Sequence, residues 1–327
     1  MNDKWKLIVR DDGPYDKKAE RRKWRIVLAD VLAFAVLLTG FAFFHHGMQR
    51  QTFEKCLVSC RSGALYMGYG SDQANDGGDA GYFTFEGRFT AQTPETMTDG
   101  TTTWYRDSGC EITLTTYQLA SGPVRVADVY VSDIARLSTA LANSAYGKGQ
   151  RENVLPLTNR YGAVFSITGD NYSERYGGVI MRNGVLYSRS ADPTRDLCVL
   201  NWDGVMSVYS PEEFNLTEAI DAGAYQIWSF GPALVREGAA QNTDGSEYYQ
   251  PMRRSAIGYF QPGHYCFVLM EGSVSLADLA QTMVNLGCET AYNLYGGRLA
   301  AMTYNGTYYS TQQEVDRACS DVILITN

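Results

Sequence analysis

The sequence predicts an α+β fold: a mixed or antiparallel β-sheet core with a few packed helices, preceded by one transmembrane helix. Three observations lead there. Short alternating apolar and polar runs recur after residue 110, with Asn-Gly and Asp-Gly pairs between them. Helical apolar spacing is confined to a few segments that show no regular βαβ rhythm. One long apolar run stands near the amino terminus.

That run, Ile26–Phe44, reads "IVLADVLAFAVLLTGFAFF" and is broken mainly by Asp30 and Thr39. It approaches the roughly 20 residues that cross a bilayer. The basic stretch "KKAERRKWR" precedes it and only "HHGMQRQ" follows, so the positive-inside bias places the amino terminus in the cytoplasm. A cleavable signal peptide is the rival reading, but the run is long for one and no small-x-small cleavage site follows. The expected organisation is a cytoplasmic basic tail over 1–25, a cell-membrane anchor over 26–46, an extracytoplasmic stalk or irregular segment over 47–110, and a folded extracytoplasmic domain over 111–327.

Composition agrees with a β-rich domain. Tyrosine (23) and glycine (32) are plentiful beside 28 lysines and arginines together. The net charge of -8 is carried mostly after the first fifty residues, because the amino terminus is dense in Lys and Arg, and it implies no basic nucleic-acid surface. The 7 cysteines leave one over in any full pairing, and spacing does not reveal the pairs. Cys266 and Cys288 lie in apolar surroundings that suit buried thiols. His45, His46 and His264 have no ligand spacing with a cysteine pair, so no metal site and no cofactor are expected. Acidic residues at 170 and 271 could meet a divalent cation, but no recognised binding loop surrounds them.

Along the chain, 47–110 is rich in Gly, Asp and Thr with weak periodicity, hence the stalk. Hairpins are expected at Asn183-Gly184, Asp203-Gly204 and Asn305-Gly306. One helix is expected from a Ser210 cap, with Pro211 first and Glu213 third. The clearest begins at a Ser275 cap, presents Leu276, Leu279, Ala280, Met283 and Leu286 on one face, and stops at Gly287. A third is expected in "SDIARLSTALANSAYG", with Ile134, Leu137 and Leu141 aligned.

Five segments in order carry a resemblance: "VADVYVSDIARLSTALA", "SITGDNYSERYGGVIMRNGVLY", "AYQIWSFGPALV", "RRSAIGYFQPGHYCFVLMEG" and "SLADLAQTMVNLGCETAYNLYGG". From about Thr113 onward the chain resembles the bacterial phosphodiester glycosidase family, relatives of the uncovering enzyme that removes N-acetylglucosamine from a phosphodiester. That family's pattern has Asn-Gly-Asp, Pro-Arg-Thr-Ala-Ile-Gly, Asp-Gly-Arg and Asn-Leu-Asp-Gly-Gly. Here these read Thr168-Gly169-Asp170, Arg253 to Gly258, Glu271-Gly272-Ser273 and Asn293-Leu294-Tyr295-Gly296-Gly297. Asp170 and Arg254 are retained, whereas Tyr295 replaces an aspartate and Ser273 runs almost directly into the Ser275 helix.

The resemblance implies an enzyme that hydrolyses a sugar-1-phosphodiester in envelope or exported polysaccharide. Cleavage at an anomeric carbon passes through an oxocarbenium-like state that wants carboxylates, while the leaving phosphate wants cations. The catalytic candidates are Asp170, Glu271 and Tyr295. The substrate-binding candidates are Arg254, Arg182, Asn293, Gly296, Gly297 and Arg298. A phenol is a poor substitute for a carboxylate base at neutral pH, so the alternative is a weakened relative that binds anionic glycans or scaffolds envelope proteins.

Overall fold

The computed structural model describes residues 81–174, 178–244, 250–311 and 318–327. The expected basic tail and anchor lie outside them, and no helix among the described residues is long and apolar enough to cross a membrane.

The chain opens as a meander of β1 (Glu95–Asp99), β2 (Thr102–Arg106), β3 (Cys110–Leu119) and β4 (Gly122–Val131), followed by β5 (Leu137–Leu141) and helix α1 (Val154–Arg160). Next come β6 (Phe165–Thr168), β7 (Gly178–Arg182), β8 (Val185–Ser190), β9 (Leu197–Asn201), β10 (Met206–Tyr209), α2 (Leu216–Asp221), β11 (Ala224–Trp228), β12 (Ala233–Arg236) and β13 (Ala239–Ala240). The last part holds β14 (Met252–Gln261), β15 (His264–Val274), α3 (Leu276–Asn285), β16 (Thr290–Leu294), β17 (Met302–Tyr304), β18 (Thr307–Tyr308) and β19 (Asp321–Ile325).

The strands form a nine-stranded sheet, β1-β2-β3-β4-β15-β14-β16-β12-β13, and two five-stranded sheets, β10-β9-β11-β7-β8 and β18-β17-β6-β19-β5. The pairings among the described strands are antiparallel throughout, so the sheet is not mixed. The main core gathers residues of all three sheets, among them Ile112, Val129, Ile257, Phe267 and Tyr292 with Phe165, Ile167, Trp228 and Ile323. Because strand residues alternate in direction, the opposite face of the large sheet presents Val126, Cys266, Val268 and Ala291, which α3 covers with Leu276, Leu279, Ala280 and Met283. Helices α1 and α2 cover the other sheets in the same way, through Val154 and Leu157 and through Leu216 and Ile220.

Several expected elements form where their local chemistry demands. Ser275 caps α3 in a reciprocal capping box with Asp278. Asn183-Gly184 and Asn305-Gly306 both adopt positive φ, as the tight hairpins between β7 and β8 and between β17 and β18 require.

Three expectations are corrected. The segment over 47–110, expected as a stalk or irregular, carries two strands in its described part: β1 pairs with β2, β2 pairs with β3, and Tyr105 is buried in the main core. Its threonines and aromatics are strand formers and its Asp-Gly pair is a hairpin tip, so a composition that reads as irregular is compatible with sheet. The helix expected over Ser132–Gly147 is a short 3-10 turn capped by Asp133, followed by strand β5. Pairing of Leu137–Leu141 with β19 overrides the local helical spacing. The helix expected from Ser210 starts later: Glu213 folds back onto the Ser210 amide in a turn, and Asn215 caps α2.

Gly258 on β14 lies under α3, where a methyl group would come within 2.7 Å or less of Cys288 Sγ, Met283 Cε and Cys266 Sγ. Gly258→Ala is therefore expected to overpack this layer and lower the unfolding free energy by about 1–3 kcal/mol, read by urea denaturation. An unchanged midpoint would show that the layer has slack.

Candidate functional site

The ends of β6, β7, β11, β16 and β19 converge on one buried charged cluster. Arg182, the last residue of β7, is 1% exposed. Its Nε donates to Asp321 Oδ2 at 2.8 Å and its Nη2 to Asp170 Oδ2 at 3.1 Å. Its Nη1 donates to the carbonyls of Met181 and Ile227. Asp321 also accepts the Asp170 amide on Oδ1 at 2.6 Å, and Asp170 Oδ2 accepts the Ser229 amide at 3.2 Å. The same Asp321 oxygen would sit 2.6 Å from a side chain at 169, so glycine there lets the carboxylate approach.

The group holds two carboxylates against one guanidinium. Burial alone would lower the Arg182 pKa, but the two carboxylates outweigh it and hold the arginine above its usual value. Burial pushes the Asp321 carboxyl up to about 6; Arg182 opposes the shift and Asp170 adds to it.

The glycine turn joins this cluster through the backbone. Tyr295 N–H donates to Gly169 O at 2.9 Å, and Ser255 Oγ donates to Tyr295 O at 2.9 Å. The Tyr295 ring meets Phe230 edge-on at 5.3 Å. Gly296 packs so closely that a side chain there would meet Arg253 O at 2.6 Å, and Gly297 adopts φ of 64°. Asn293 is fully buried; its Nδ2 donates to Gly231 O at 2.7 Å and its Oδ1 has no hydrogen-bond partner. Arg298 lies exposed in the 3-10 turn Gly297–Leu299.

The sequence candidates thus divide. Asp170, Arg182, Tyr295 and the glycine pair come together. Arg182, expected as a substrate cation, has its fork engaged by two carboxylates and two carbonyls. Arg254, also expected to bind substrate, lies apart from this cluster. Alternation turns it to the α3 side of β14, where it donates to Val274 O at 3.2 Å and Gln250 O at 2.6 Å, and burial lowers its pKa to about 10. Glu271 belongs to a separate group with Arg125, Arg253 and the Thr311 amide. Burial raises its pKa, but hydrogen bonds from Thr311 and Arg125 and the charge of Arg125 carry it below the usual carboxylate value.

Sequence reasoning missed Asp321, Ser229 and Arg253. The signal for Asp321 is a lone acid heading the apolar strand "DVILI". The signal for Arg253 is strand alternation, which puts it on the Ser255 face. Among the described residues no group of His, Cys, Asp and Glu is arranged to hold a metal ion.

A family model described as phosphodiester glycosidase matches residues 161–326. SPbeta prophage-derived uncharacterized protein YomE of Bacillus subtilis (strain 168) is 26% identical over 201 residues, covering 56% of this chain and 31% of that protein. The chain therefore spans under a third of that relative. The catalytic domain of zebrafish N-acetylglucosamine-1-phosphodiester alpha-N-acetylglucosaminidase, auto-inhibited by its pro-peptide, is similar in fold with a TM-score of 0.52 at 18% identity, over 72% of this chain and 88% of that one. A hypothetical protein from Synechocystis has a TM-score of 0.54 at 14% identity, over 72% of this chain and 64% of that one. At such identities the likeness is one of fold.

Two outcomes test the buried cluster. Arg182→Met should cost about 3–5 kcal/mol in urea unfolding, since it leaves two carboxylates buried without their cation. Asp321 ionises near 3.8 when unfolded but near 6 in the fold, so the folded state binds the extra proton between these values. Its contribution to stability is fully present below about pH 3.8 and is lost as the pH rises through about 6. Asp321→Asn should flatten that part of the stability–pH curve; a slope that persists unchanged assigns the titration to another group.

Proposed function

The chain belongs to the phosphodiester glycosidase family, and from that premise we propose that it hydrolyses a sugar-1-phosphodiester of the N-acetylglucosamine type in a cell-envelope or exported glycan. One observation carries the reading. Asp170 is fixed by Arg182 and Ser229 one residue beyond Gly169, whose carbonyl holds the Tyr295–Gly297 turn in place.

A carboxylate fixed in this way is suited to stabilising positive charge at an anomeric carbon or to orienting the attacking water. Gly296 uses its lack of a side chain to pack on the Arg253 carbonyl, and Gly297, at a φ of 64°, is the residue of the pair that offers backbone to a ligand. Tyr295, standing where the family pattern has an aspartate, offers a phenol as hydrogen-bond donor or nucleophile. On the same proposal the segment 26–46, with its apolar run Ile26–Phe44, anchors the chain in a membrane, and the folded domain works on its outer side.

A second reading, binding of phosphorylated glycan without turnover, is favoured by Tyr295 itself and by the engagement of Glu271 and Arg254 with protein partners.

The test is sugar release from a nucleoside-diphosphate N-acetylglucosamine or a p-nitrophenyl phosphodiester by the full chain. Turnover is expected, with Asp170→Asn lowering kcat by about 10²–10⁴. Binding with no turnover, and activity appearing only in Tyr295→Asp, would establish the second reading.

A further inference from the structure

A second group of charges, of opposite balance to the first, is joined to the same turn through the Arg253 backbone. Arg253 is 6% exposed on the Ser255 face of β14, and its backbone carbonyl is the atom against which Gly296 packs. Its Nη1 donates to Thr311 O at 3.1 Å. Its Nε and Nη2 are buried and have no hydrogen-bond partner; Glu271 Oε2 stands 3.9 Å from Nη2, beyond bonding distance. Glu271 is committed elsewhere, to Arg125 Nε and to the Thr311 amide. Arg125 also donates to Thr116 Oγ1 at 3.2 Å and lies over the Tyr309 ring.

Two guanidiniums therefore share one carboxylate, and two donor nitrogens of a buried cation, Nε and Nη2, are unused. Leaving such donors unmet is costly. An anion with several acceptor oxygens would satisfy both, and the fork of Arg253 matches the spacing of phosphate oxygens.

We infer that Arg253, with Arg125 behind it, forms the phosphate-holding half of the site, and that Glu271 occupies it as an internal counter-ion when no ligand is bound. The inference rests on the sugar-phosphodiester reading above and gives the substrate a direction. The glycosyl end faces Asp170, on the side with excess negative charge, and the phosphate faces Arg253, on the side with excess positive charge.

The test is titration of the full chain with inorganic phosphate by calorimetry, beside Arg253→Gln, Arg253→Lys and Glu271→Gln, each checked for a cooperative thermal transition. Arg253→Gln should weaken phosphate binding at least about tenfold, and Arg253→Lys should recover part of the loss. Glu271→Gln should tighten binding, because a competing carboxylate is removed; a gain of affinity cannot come from misfolding. Phosphate affinity unchanged in all three variants, or no phosphate binding at millimolar concentration by the unaltered chain, would overturn the inference and leave Arg253 a structural cation. Failure of the hydrolase reading is distinguishable: phosphate binding that responds to these variants without sugar release upholds the anion site, whereas sugar release with phosphate affinity indifferent to them removes it.

Discussion

Arg182 closes β7 in one five-stranded sheet, and both of its carboxylate partners belong to the other: Asp170 follows β6 and Asp321 opens β19. Burying three charges is tolerable only because each meets the others at hydrogen-bonding distance and the remaining donors of Arg182 find main-chain carbonyls. The consequence is positional. Asp321 holds the Asp170 amide and crowds Gly169, Arg182 and Ser229 hold the Asp170 carboxylate, and Gly169 in turn receives Tyr295. The interaction that joins two sheets therefore also sets the carboxylate on which the proposed chemistry depends.

Around the Tyr295–Gly297 turn the electrostatics are divided. Asp170, Arg182 and Asp321 carry an excess of negative charge, and Arg125, Arg253 and Glu271 an excess of positive charge. A sugar-1-phosphodiester has the complementary division in its transition state, positive at the anomeric carbon and negative at the leaving phosphate. Tyr295 lies where these demands meet, and with Phe230 against its ring it brings an aromatic surface to a place where the family pattern has a charge.

Much of the fold was legible because its signals are local. The capped helix α3 and the Asn-Gly hairpins are determined by residues within a few positions of each other. The first strands were masked by a Gly-, Asp- and Thr-rich composition, although β2 pairs with its chain neighbours β1 and β3, and β5 was not legible because Leu137–Leu141 becomes a strand through β19, a partner distant in sequence. The site divides in the same way. Asp170 and the glycine pair could be read from motif order, but which carboxylate a buried arginine meets is a tertiary fact. Arg253 and Arg254 are neighbours in sequence, and only their directions on β14 separate a cation that meets Thr311 O and Glu271 from one that clamps Val274 and Gln250.

On the proposed reading a sugar phosphate lies across the turn with its two ends in opposite electrostatic surroundings. A crystal structure of the protein with N-acetylglucosamine 1-phosphate bound tests this most directly. Phosphate oxygens are expected within hydrogen-bonding distance of the Arg253 guanidinium, with the anomeric carbon turned toward Asp170. A phosphate turned toward Asp170, or a ligand bound away from the Gly296–Gly297 turn, would contradict it.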